Sequence, residues 1–390
     1  MISVTAALEQ IFALVTPLPT EMVPLRMAAG RVLSQSVAAR RDQPPFAASA
    51  MDGYAIRKAD LHAGASLRVI GESAAGRGFG GRVTAGTAVR ILTGAPLPDG
   101  ADFVVIQEDV TRSESNILLG PDIAAGSNIR PAGNDFRRGD SVAAPRRLSP
   151  SDIALLAAMN IAEVPVTRKP VIAIIATGDE LVQPGETPGP DQIIASNSYG
   201  LHALCTALGA APRLLPIARD DMAALDLVFD LASGADLVLT IGGASVGDHD
   251  LVAQAVQARG HDLAFHKVAL RPGKPLMAGR IDEALLLGLP GNPVSAMVCG
   301  TVFLGPVILS MLGLPAQPAP RLCGPLAETL PPNGPREHYL RATRTEAGLR
   351  ACGKQDSALL SVLAQADCLI VQPPHDPGRP AGAMVEYIAL

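Results

Sequence analysis

The sequence LLGLPGNPVS, residues 286–295, runs an apolar segment directly into a Pro-Gly-Asn-Pro turn and then into a helix-forming segment. A buried strand that ends in a glycine turn at a helix N-terminus leaves backbone N–H groups without partners, beside the positive end of the helix dipole. Such a turn is well suited to bind an anion. Alone it is equally typical of an ordinary β–α connection, so the other motifs of the chain decide between the two interpretations.

The composition indicates a globular protein of several domains. At 390 residues the chain is too long for one simple core, and about two to four domains are expected. Hydrophobic residues make up 48% and charged residues 18% of the chain, which excludes a disordered protein. The net charge is −5 and the basic residues are scattered, so no nucleic-acid partner is expected. An anionic ligand must therefore be held by local donors.

The five cysteines are odd in number and show no C-x-x-C spacing, which supports neither a disulfide framework nor a zinc site. Together with an N-terminus that carries Glu9 and no basic segment, this predicts a cytoplasmic protein. The apolar residues 293–312 are long enough to span a bilayer. Because Gly300, Gly305 and Pro306 interrupt them, we interpret them as the central helix of a large core and expect no membrane.

The first half of the chain predicts a helical part with an inserted β domain. Residues 3–15 place apolar side chains at helical spacing behind Ser3, which can cap the helix. A second helix begins near Ser149, with Asp152 in its first turn. Between the two helices, residues 46–140 hold short β-like runs separated by glycine, at 66–70, 87–92 and 103–107.

After Pro170, apolar strands alternate with helical segments, which predicts a parallel-rich sheet covered on both faces. The predicted strands are residues 171–176, 213–217, 236–241 and 284–289, and the predicted helices are residues 198–208 and 222–232. Prolines crowd residues 314–335, which are predicted to form a linker. Beyond it, short strands predict a small β-barrel or sandwich, at residues 339–344, 368–372 and 385–390.

Polar side chains follow two strands of the predicted sheet. Thr177-Gly178-Asp179-Glu180 comes directly after the first strand, and open α/β sheets bind ligands at the carboxyl ends of their strands. Its two carboxylates suit a metal or a polar ligand, although Asp179 would also suit a simple turn. The segment GGASVGDHD, residues 242–250, follows a second strand with glycines that let the backbone wrap around a phosphate. It lacks the spacing of a P-loop.

A cationic segment adds a third kind of group. Lys267, Arg271 and Lys274 lie close together around the sequence RPGKP, where prolines limit the backbone entropy lost in aiming these cations. A solvated turn is the alternative interpretation. Anion-binding turns at strand ends, cations and a pair of carboxylates together predict a site for a phosphorylated organic ligand with a metal.

Eight segments occur in order along nearly the whole chain: PPFAASAMDGYA (44–55), RILTGAPLPDGAD (90–102), NIRPAGNDFRRGD (128–140), TGDEL (177–181), IIASNS (193–198), GGASVGDHD (242–250), PGKP (272–275) and GLPGNPVS (288–295). With them the sequence resembles the molybdopterin molybdenumtransferases, the family of MoeA and the gephyrin E domain. The first and last segments are highly specific as a pair.

The resemblance implies a multidomain α/β plus β fold. The implied domains are an elongated helical and β dimerisation domain (1–45 and 141–168), an inserted β domain (46–140), a MogA-like molybdopterin-binding α/β domain (169–314) and a C-terminal β-barrel (315–390). It also implies a homodimer, with the site in a cleft between the MogA-like domain of one subunit and the inserted domain of the other. An adenylyltransferase and recipient molybdoenzymes are the implied protein partners.

The implied activity is that of a transferase that inserts molybdate into adenylylated molybdopterin with Mg²⁺ or a similar divalent cation, releasing AMP and molybdenum cofactor. Matched motif by motif, the residues implied to be catalytic are Asp52, Asp135, Glu180, Lys267 and Arg271. The metal is expected on Glu180 with Asp250 or Asp220. The residues expected to contact the substrate are Thr93, Asp220, Gly242, Gly243, Ser245, Gly247, Lys274, Gly291, Asn292, Ser295, Arg341 and Ser357.

Two departures from the family pattern accompany the match. Ala47-Ala48 stands where the family often has Asp-Asn, which removes two polar groups beside the expected cleft. Arg271 stands where lysine is also common, which keeps the charge and changes the donor geometry. Two alternative functions stay open, a molybdopterin adenylyltransferase and a non-catalytic molybdopterin-binding scaffold. The presence of Asp52, Glu180 and Asp250 argues against the scaffold.

Overall fold

The structure is a computed structural model that describes residues 1–123, 125–243 and 251–390. The chain forms two compact units. The first comprises Met1–Glu21, Gly30–Ser34 and Val166–Leu390, and the second comprises Met22–Ala29 and Gln35–Pro165. Two strands, Thr20–Pro24 and Glu163–Thr167, run across the division between the units. The finer division into four domains stays a prediction.

A six-stranded sheet lies at the centre of the first unit. Its strands are, in order, Ala211–Leu214, Val171–Ala176, Leu237–Ile241, Ala284–Leu289, Pro275–Ile281 and Leu263–Lys267. The first four are parallel, as predicted, and the last two run antiparallel to their neighbours. The edge strand predicted at 213–217 begins earlier, because Ala211 already pairs with Val171.

Helices cover both faces of this sheet. Alternate residues of one strand enter opposite cores: Ile172 and Ile174 pack into one, and Ala173 and Ile175 into the other, as the two-residue period of a strand requires. The helices Val4–Leu14 and Ser196–Leu208 contribute to the first core, and the helices Met222–Leu231 and Leu251–Ala258 to the second. Ser3 caps the first helix, as predicted, by accepting a hydrogen bond from the Ala6 amide at 3.1 Å.

The long apolar segment is a core helix. It consists of Pro293–Cys299, a π-helical turn at Gly300–Leu304 and Gly305–Met311. By length and composition this helix could cross a membrane, but 83% of its most apolar stretch of 18 residues is buried inside the protein. The π-turn lies next to Pro306, which has no N–H to donate to the preceding turn. The interpretation as a central core helix is therefore confirmed.

The last part of the first unit is a small β-barrel. Its antiparallel strands are Glu337–Thr345, Cys368–Gln372, Met384–Ala389 and Leu322–Pro325, with Gly348–Ala351 on the other side of the first. A bridge between Leu326 and Leu349 closes the ring. The short strand Leu270–Arg271 pairs in parallel with Glu337 and His338. This pairing brings the cationic segment to the barrel. The helix Leu360–Gln365 precedes the strand Cys368–Gln372.

The second unit contains a six-stranded β-sheet that includes the three strands predicted there. Its order is Phe103–Ile106, Gly53–Ile56, Thr87–Ile91, Ser66–Ser73, Asn116–Leu119 and Val110–Ser113. Two short strand pairs lie beside it, Val37–Ala38 with Ser141–Val142 and Ala48–Ser49 with Ile129–Arg130.

The helix Pro150–Ala158 of the second unit begins with the predicted cap. Ser149 accepts a hydrogen bond from the Asp152 amide at 3.2 Å, and the Asp152 carboxylate accepts from the Ser149 amide at 2.8 Å. Arg146 also pairs with the buried Asp152 carboxylate at 2.7 Å. Burial alone would raise the pKa of Asp152, but the hydrogen bonds from Ser149 and the charge of Arg146 hold it below its ordinary value.

Replacing Asp152 with asparagine is expected to destabilise the second unit by about 1–3 kcal/mol, because the buried charge that pairs with Arg146 is lost and a neutral amide oxygen accepts the hydrogen bonds of Ser149 more weakly. Because the pKa of Asp152 is lowered by folding, its carboxylate binds fewer protons in the folded chain than in the unfolded chain. Its contribution to the free energy of unfolding is therefore present at neutral pH and is lost as the pH falls below about 4. Chemical denaturation at pH 7 and pH 3 measures both effects. A variant that loses equal stability at the two pH values would contradict this assignment.

Candidate active site

A cavity of about 1450 Å³ opens at the carboxyl ends of the parallel strands in the first unit. The turns that follow three neighbouring strands line it: Thr177 and Gly178 after the first, Gly242 and Gly243 after the second, and Pro290–Asn292 after the third. Carboxyl ends of parallel strands meet at one edge of a sheet, so segments far apart in sequence converge here. The predicted placement of these three turns at one site is confirmed.

The glycine turn after the strand Leu237–Ile241 requires glycine at both positions. Gly242 and Gly243 have φ angles of +87° and +66°, which other residues rarely adopt. A Cβ on Gly242 would lie 2.8 Å from the Thr177 carbonyl oxygen, and one on Gly243 would lie 2.7 Å from Val252. The turn therefore presents bare backbone to the cavity. Bare backbone of this kind allows close approach by a phosphate group.

Two carboxylates face the same cavity. Glu180 and Asp220 both line it, and the Asp220 amide donates to the Asp179 carboxylate at 3.4 Å. Partial burial and the charges of Asp179 and Glu180 raise the pKa of Asp220 above its ordinary value. Within the described ranges, no arginine, lysine or histidine forms an ion pair with any of the three acids. The cluster is therefore rich in negative charge and suits a cation.

Three cations line another part of the cavity. Arg271 and Lys274 come from the predicted cationic segment, and Arg336 comes from the segment before the first barrel strand. The Arg336 side chain donates to the Leu270 carbonyl at 3.4 Å. Burial, together with the positive charges of the three nearby arginines Arg271, Arg341 and Arg336, lowers the pKa of His338 to about 4. The His338 side chain is therefore neutral at pH 7. In the described part of the chain none of these three cations pairs with a carboxylate, which leaves them able to bind an anion.

The Pro-Gly-Asn turn at residues 290–292 is held by two contacts. The Asn197 side chain donates to the Gly291 carbonyl at 2.7 Å, and the Val294 amide donates to the Ser357 carbonyl at 3.0 Å. Asn292 is exposed and Ser295 is buried at the start of the core helix, and both line the cavity. The turn therefore joins the α/β sheet to a loop of the barrel.

One wall of the cavity is aliphatic. The short strands Leu181–Val182 and Ile193–Ile194 pair in parallel beside Glu180, whose carbonyl accepts from the Ile193 amide at 2.7 Å. Leu181, Ile193 and Ile194 line the cavity, and the two isoleucines keep 58% and 37% of their surface exposed. A polar cavity with one exposed aliphatic wall suits a ligand that carries both charged groups and a flat ring.

Residues of the second unit form a separate local arrangement. The Asp52 carboxylate accepts two hydrogen bonds from Thr93, one from the amide and one from the hydroxyl, each of 2.7 Å. The backbone bond, followed by the hydroxyl bond, lowers the pKa of Asp52. Asp135 is exposed, and its amide donates to the Gln43 carbonyl at 2.9 Å. Ala48 is buried, so the polar residue common there in the family would need buried partners.

The predicted site residues divide into four groups, of which Asp52, Thr93 and Asp135 of the second unit are one. Those that line the cavity are Glu180, Asp220, Gly242, Gly243, Arg271, Lys274, Gly291, Asn292, Ser295 and Ser357. Ser245, Gly247 and Asp250 lie outside the described residues. Lys267 and Arg341 do not line the cavity. Lys267 is exposed at the end of an edge strand, and Arg341 is buried in the barrel strand Glu337–Thr345.

The sequence predicted Ser357 at the site but gave no role to Arg336, Gln355, Asp356 or Ala358, which also line the cavity. They follow no strand of the central sheet and belong to no glycine motif. The pairing of Leu270–Arg271 with the barrel and the hydrogen bond from the Val294 amide to the Ser357 carbonyl bring them to the site. The residues Ser196 and Asn197, at the start of a helix, belong to a quoted motif but received no role.

Three family descriptions match the chain. Residues 2–160 match "MoeA N-terminal region (domain I and II)", residues 173–310 match "Probable molybdopterin binding domain", and residues 324–390 match "MoeA C-terminal region (domain IV)". The matched ranges cover both units and the cavity-lining turns.

Similar proteins are named for one activity. A Haemophilus influenzae protein named molybdopterin molybdenumtransferase is 34% identical over 364 residues, covering 91% of this chain and 90% of that protein. A Nostoc protein of the same name is 36% identical over 370 residues, covering 91% and 85%. The crystal structure of the molybdopterin biosynthesis MoeA protein from Pyrococcus horikoshii has a TM-score of 0.85 and 30% identity, and the match covers 100% of this chain and 99% of that one.

Proposed function

The chain belongs to the molybdopterin molybdenumtransferase family, and on this premise we propose how its residues act. It is a transferase of molybdenum cofactor biosynthesis that inserts molybdate into molybdopterin. The observation that supports a role for the cavity is the convergence around one space of glycine turns with carboxylates and cations that form no ion pair among the described residues. The adenylyltransferase and scaffold alternatives are not favoured, since the relatives carry the molybdenumtransferase name.

The proposed substrate is adenylylated molybdopterin, and the proposed products are AMP and molybdenum cofactor. The bare backbone of Gly242 and Gly243 would receive a phosphate, together with the turn at residues 290–292. Arg271 and Lys274 would bind molybdate, because a dianion with four oxygens suits guanidinium and ammonium donors. Arg336 would add a third cation to this part of the cavity.

A divalent cation such as Mg²⁺ is proposed as the cofactor. In the described ranges no group of three or more His, Cys, Asp and Glu side chains is arranged to hold a metal ion. Mg²⁺ commonly binds one or two carboxylates together with water and substrate phosphate, so Glu180 and Asp220 fit it. Asp250 would be a further ligand. When bound, the ion would neutralise phosphate charge and polarise the phosphoanhydride bond.

A homodimer is proposed, with Asp52, Thr93 and Asp135 serving the substrate held by the partner. Lys267 keeps a proposed role in attracting anions from the rim, since its ammonium group is exposed. A cytoplasmic location is proposed as well, supported by five cysteines that are all free thiols. An adenylyltransferase would supply the substrate and molybdoenzymes would receive the product.

The assay that tests this function measures two reactions of the purified protein. The proposal expects AMP release from adenylylated molybdopterin that depends on molybdate and a divalent cation, with molybdenum incorporated into the pterin. AMP transfer from ATP to molybdopterin would instead support the adenylyltransferase. A protein that binds the substrate but catalyses neither reaction would support the scaffold.

The aliphatic wall is proposed to pack against a flat ring of the substrate. Replacing both Ile193 and Ile194 with serine is expected to raise the KM about tenfold, because apolar area that the ring would cover is lost. The kcat should stay close to that of the native protein. Leu227 on the helix Met222–Leu231 is 61% exposed and does not line the cavity, so Leu227→Ser is the matched control. An unchanged KM in the double variant would contradict this role.

A further inference from the structure

A single glutamine side chain holds the barrel loop that reaches the cavity. The Gln355 side-chain oxygen accepts from three Arg341 donors, the amide at 3.0 Å, Nε at 3.0 Å and Nη2 at 2.9 Å. Its side-chain nitrogen donates to the Arg341 carbonyl at 2.9 Å and to the Cys352 carbonyl at 2.8 Å. Both ends of the Gln355 amide therefore lock onto one arginine of a barrel strand.

Arg341 is committed to this contact. It is 0% exposed, and its remaining terminal nitrogen donates to the Asp356 carbonyl at 2.6 Å. Within the described ranges no carboxylate forms an ion pair with it. A buried guanidinium needs its donors satisfied, and here neutral oxygens of the loop satisfy them. The predicted role of Arg341 as a direct substrate ligand is therefore replaced by a role through the loop.

The loop connects this contact to the cavity. Gln355, Asp356, Ser357 and Ala358 all line the cavity, and the Ser357 carbonyl accepts from the Val294 amide at 3.0 Å. The Asp356 side chain accepts from the Ala358 amide at 2.8 Å, which fixes the turn internally. The barrel loop and the turn at residues 290–292 are thus joined by hydrogen bonds, and a shift at Gln355 would move the Ser357 hydroxyl.

We propose that Gln355 is a positioning residue for the transferase reaction. By binding Arg341 through both ends of its amide, it sets the position of the loop and hence of the Ser357 hydroxyl against the substrate. The identity of that substrate rests on the proposed function. Gln355 acts through other groups, so its effect must depend on Ser357 in a way that a contribution to folding alone would not.

The test compares Gln355→Met, Ser357→Ala and the double variant in the full-length protein. Methionine keeps the length of the side chain and removes its hydrogen bonds. Misplacing a binding group by about 1 Å can cost up to roughly 100-fold in rate, and we expect kcat/KM to fall about 10- to 100-fold in Gln355→Met. The kcat/KM of the double variant should be no lower than that of the less active single variant. Additive losses, or an unchanged kcat/KM in Gln355→Met, would overturn the proposal.

A matched control separates positioning from folding. Gln372 is another glutamine of the barrel, 4% exposed, whose side chain donates to the Pro331 carbonyl at 2.7 Å and does not line the cavity. Gln372→Met should also lower the melting temperature, because it removes a buried hydrogen bond of the barrel, and should leave kcat/KM unchanged. If Gln355→Met does not fold, Gln355→Glu replaces it, since glutamate keeps the acceptor for Arg341. It loses the two donated bonds, so an intermediate kcat/KM is expected, and native kcat/KM would overturn the proposal.

One measurement keeps this proposal separable from the proposed function. Hydrogen exchange at the Val294 amide reports the loop contact without any substrate. We expect faster exchange there in Gln355→Met and unchanged exchange in Gln372→Met. If the native protein is inactive but shows this exchange pattern, the proposed function is contradicted and the positioning role of Gln355 is supported. Unchanged exchange at Val294 in Gln355→Met would overturn the positioning role of Gln355, whatever the activity.

Discussion

Replacing Glu180 with glutamine is expected to lower the rate of molybdate insertion by about two to three orders of magnitude, the effect typical of removing one preorganised electrostatic group. Glu180 lines the cavity beside Asp220, and no described cation pairs with it. Glutamine keeps the size of the side chain and removes the charge that would hold a divalent cation. We therefore expect weaker binding of Mg²⁺, with a higher concentration needed for half-maximal rate.

The control for this variant is Glu186→Gln. Glu186 is exposed, accepts from the Gln183 amide at 2.9 Å and does not line the cavity, so the same change of charge a few residues away should leave the rate unchanged. Steady-state rates at several Mg²⁺ concentrations measure both variants. A Glu180→Gln protein that turns over at the native rate would remove this carboxylate from the reaction.

Glu180→Gln should not destabilise the protein. The charges of Asp179 and Glu180 help raise the pKa of Asp220, so the folded chain holds this proton more tightly than the unfolded chain. Such a group lowers stability as the pH rises through its raised pKa. Removing the Glu180 charge lowers the pKa of Asp220 and relieves this effect at neutral pH. The melting temperature of the variant without ligand should therefore equal or exceed the native value while the activity falls.

Replacing Gly242 with alanine is expected to reduce kcat/KM by at least about 100-fold and to destabilise the first unit by roughly 1–3 kcal/mol. Gly242 has a φ of +87°, and a Cβ there would lie 2.8 Å from the Thr177 carbonyl oxygen. Both the angle and the contact force the turn to change. Because this turn presents its backbone to the cavity, the proposed surface for the substrate phosphate would be lost together with the local geometry.

Gly291→Ala is the matched control for that change. Gly291 lines the same cavity, its φ is not in the left-handed region, and a Cβ there would meet only the Gly242 Cα at 3.6 Å, an ordinary contact. Its stability should stay within about 0.5 kcal/mol of native, since no strain is introduced. Equal loss of activity and stability in the two alanine variants would show that the backbone conformation of Gly242 is not the cause.

The strands that carry the site were predictable because their signal is local. Val171–Ala176 and Ala284–Leu289 are uninterrupted apolar runs with glycine turns behind them, and the structure gives the predicted bounds. The cap at Ser149 and Asp152 was predictable for the same reason, since its two partners lie three residues apart. The family match of the quoted motifs is likewise confirmed by relatives along nearly the whole chain.

Other parts of the site were not predictable from local patterns. Lys267 and Lys274 lie in one short segment, yet only Lys274 lines the cavity, because Lys267 ends an edge strand while Lys274 follows the turn. Arg341 was expected to bind substrate, and its burial behind Gln355 depends on the pairing of distant barrel strands. Neither the position of Lys267 outside the cavity nor the burial of Arg341 is indicated by residues that lie close to them in the sequence.

Short stretches of sequence indicate which turns can bind an anion, since glycine, proline and a following helix act within a few residues of one another. Which charges share the cavity and which remain outside it depends on how distant strands pair in the folded chain. Parallel strands bring their ends to one edge of the sheet, and the strand Leu270–Arg271 joins the barrel to that edge. The physical reason is that hydrogen bonds between strands depend on distant pairing, whereas turns and caps depend on neighbouring residues.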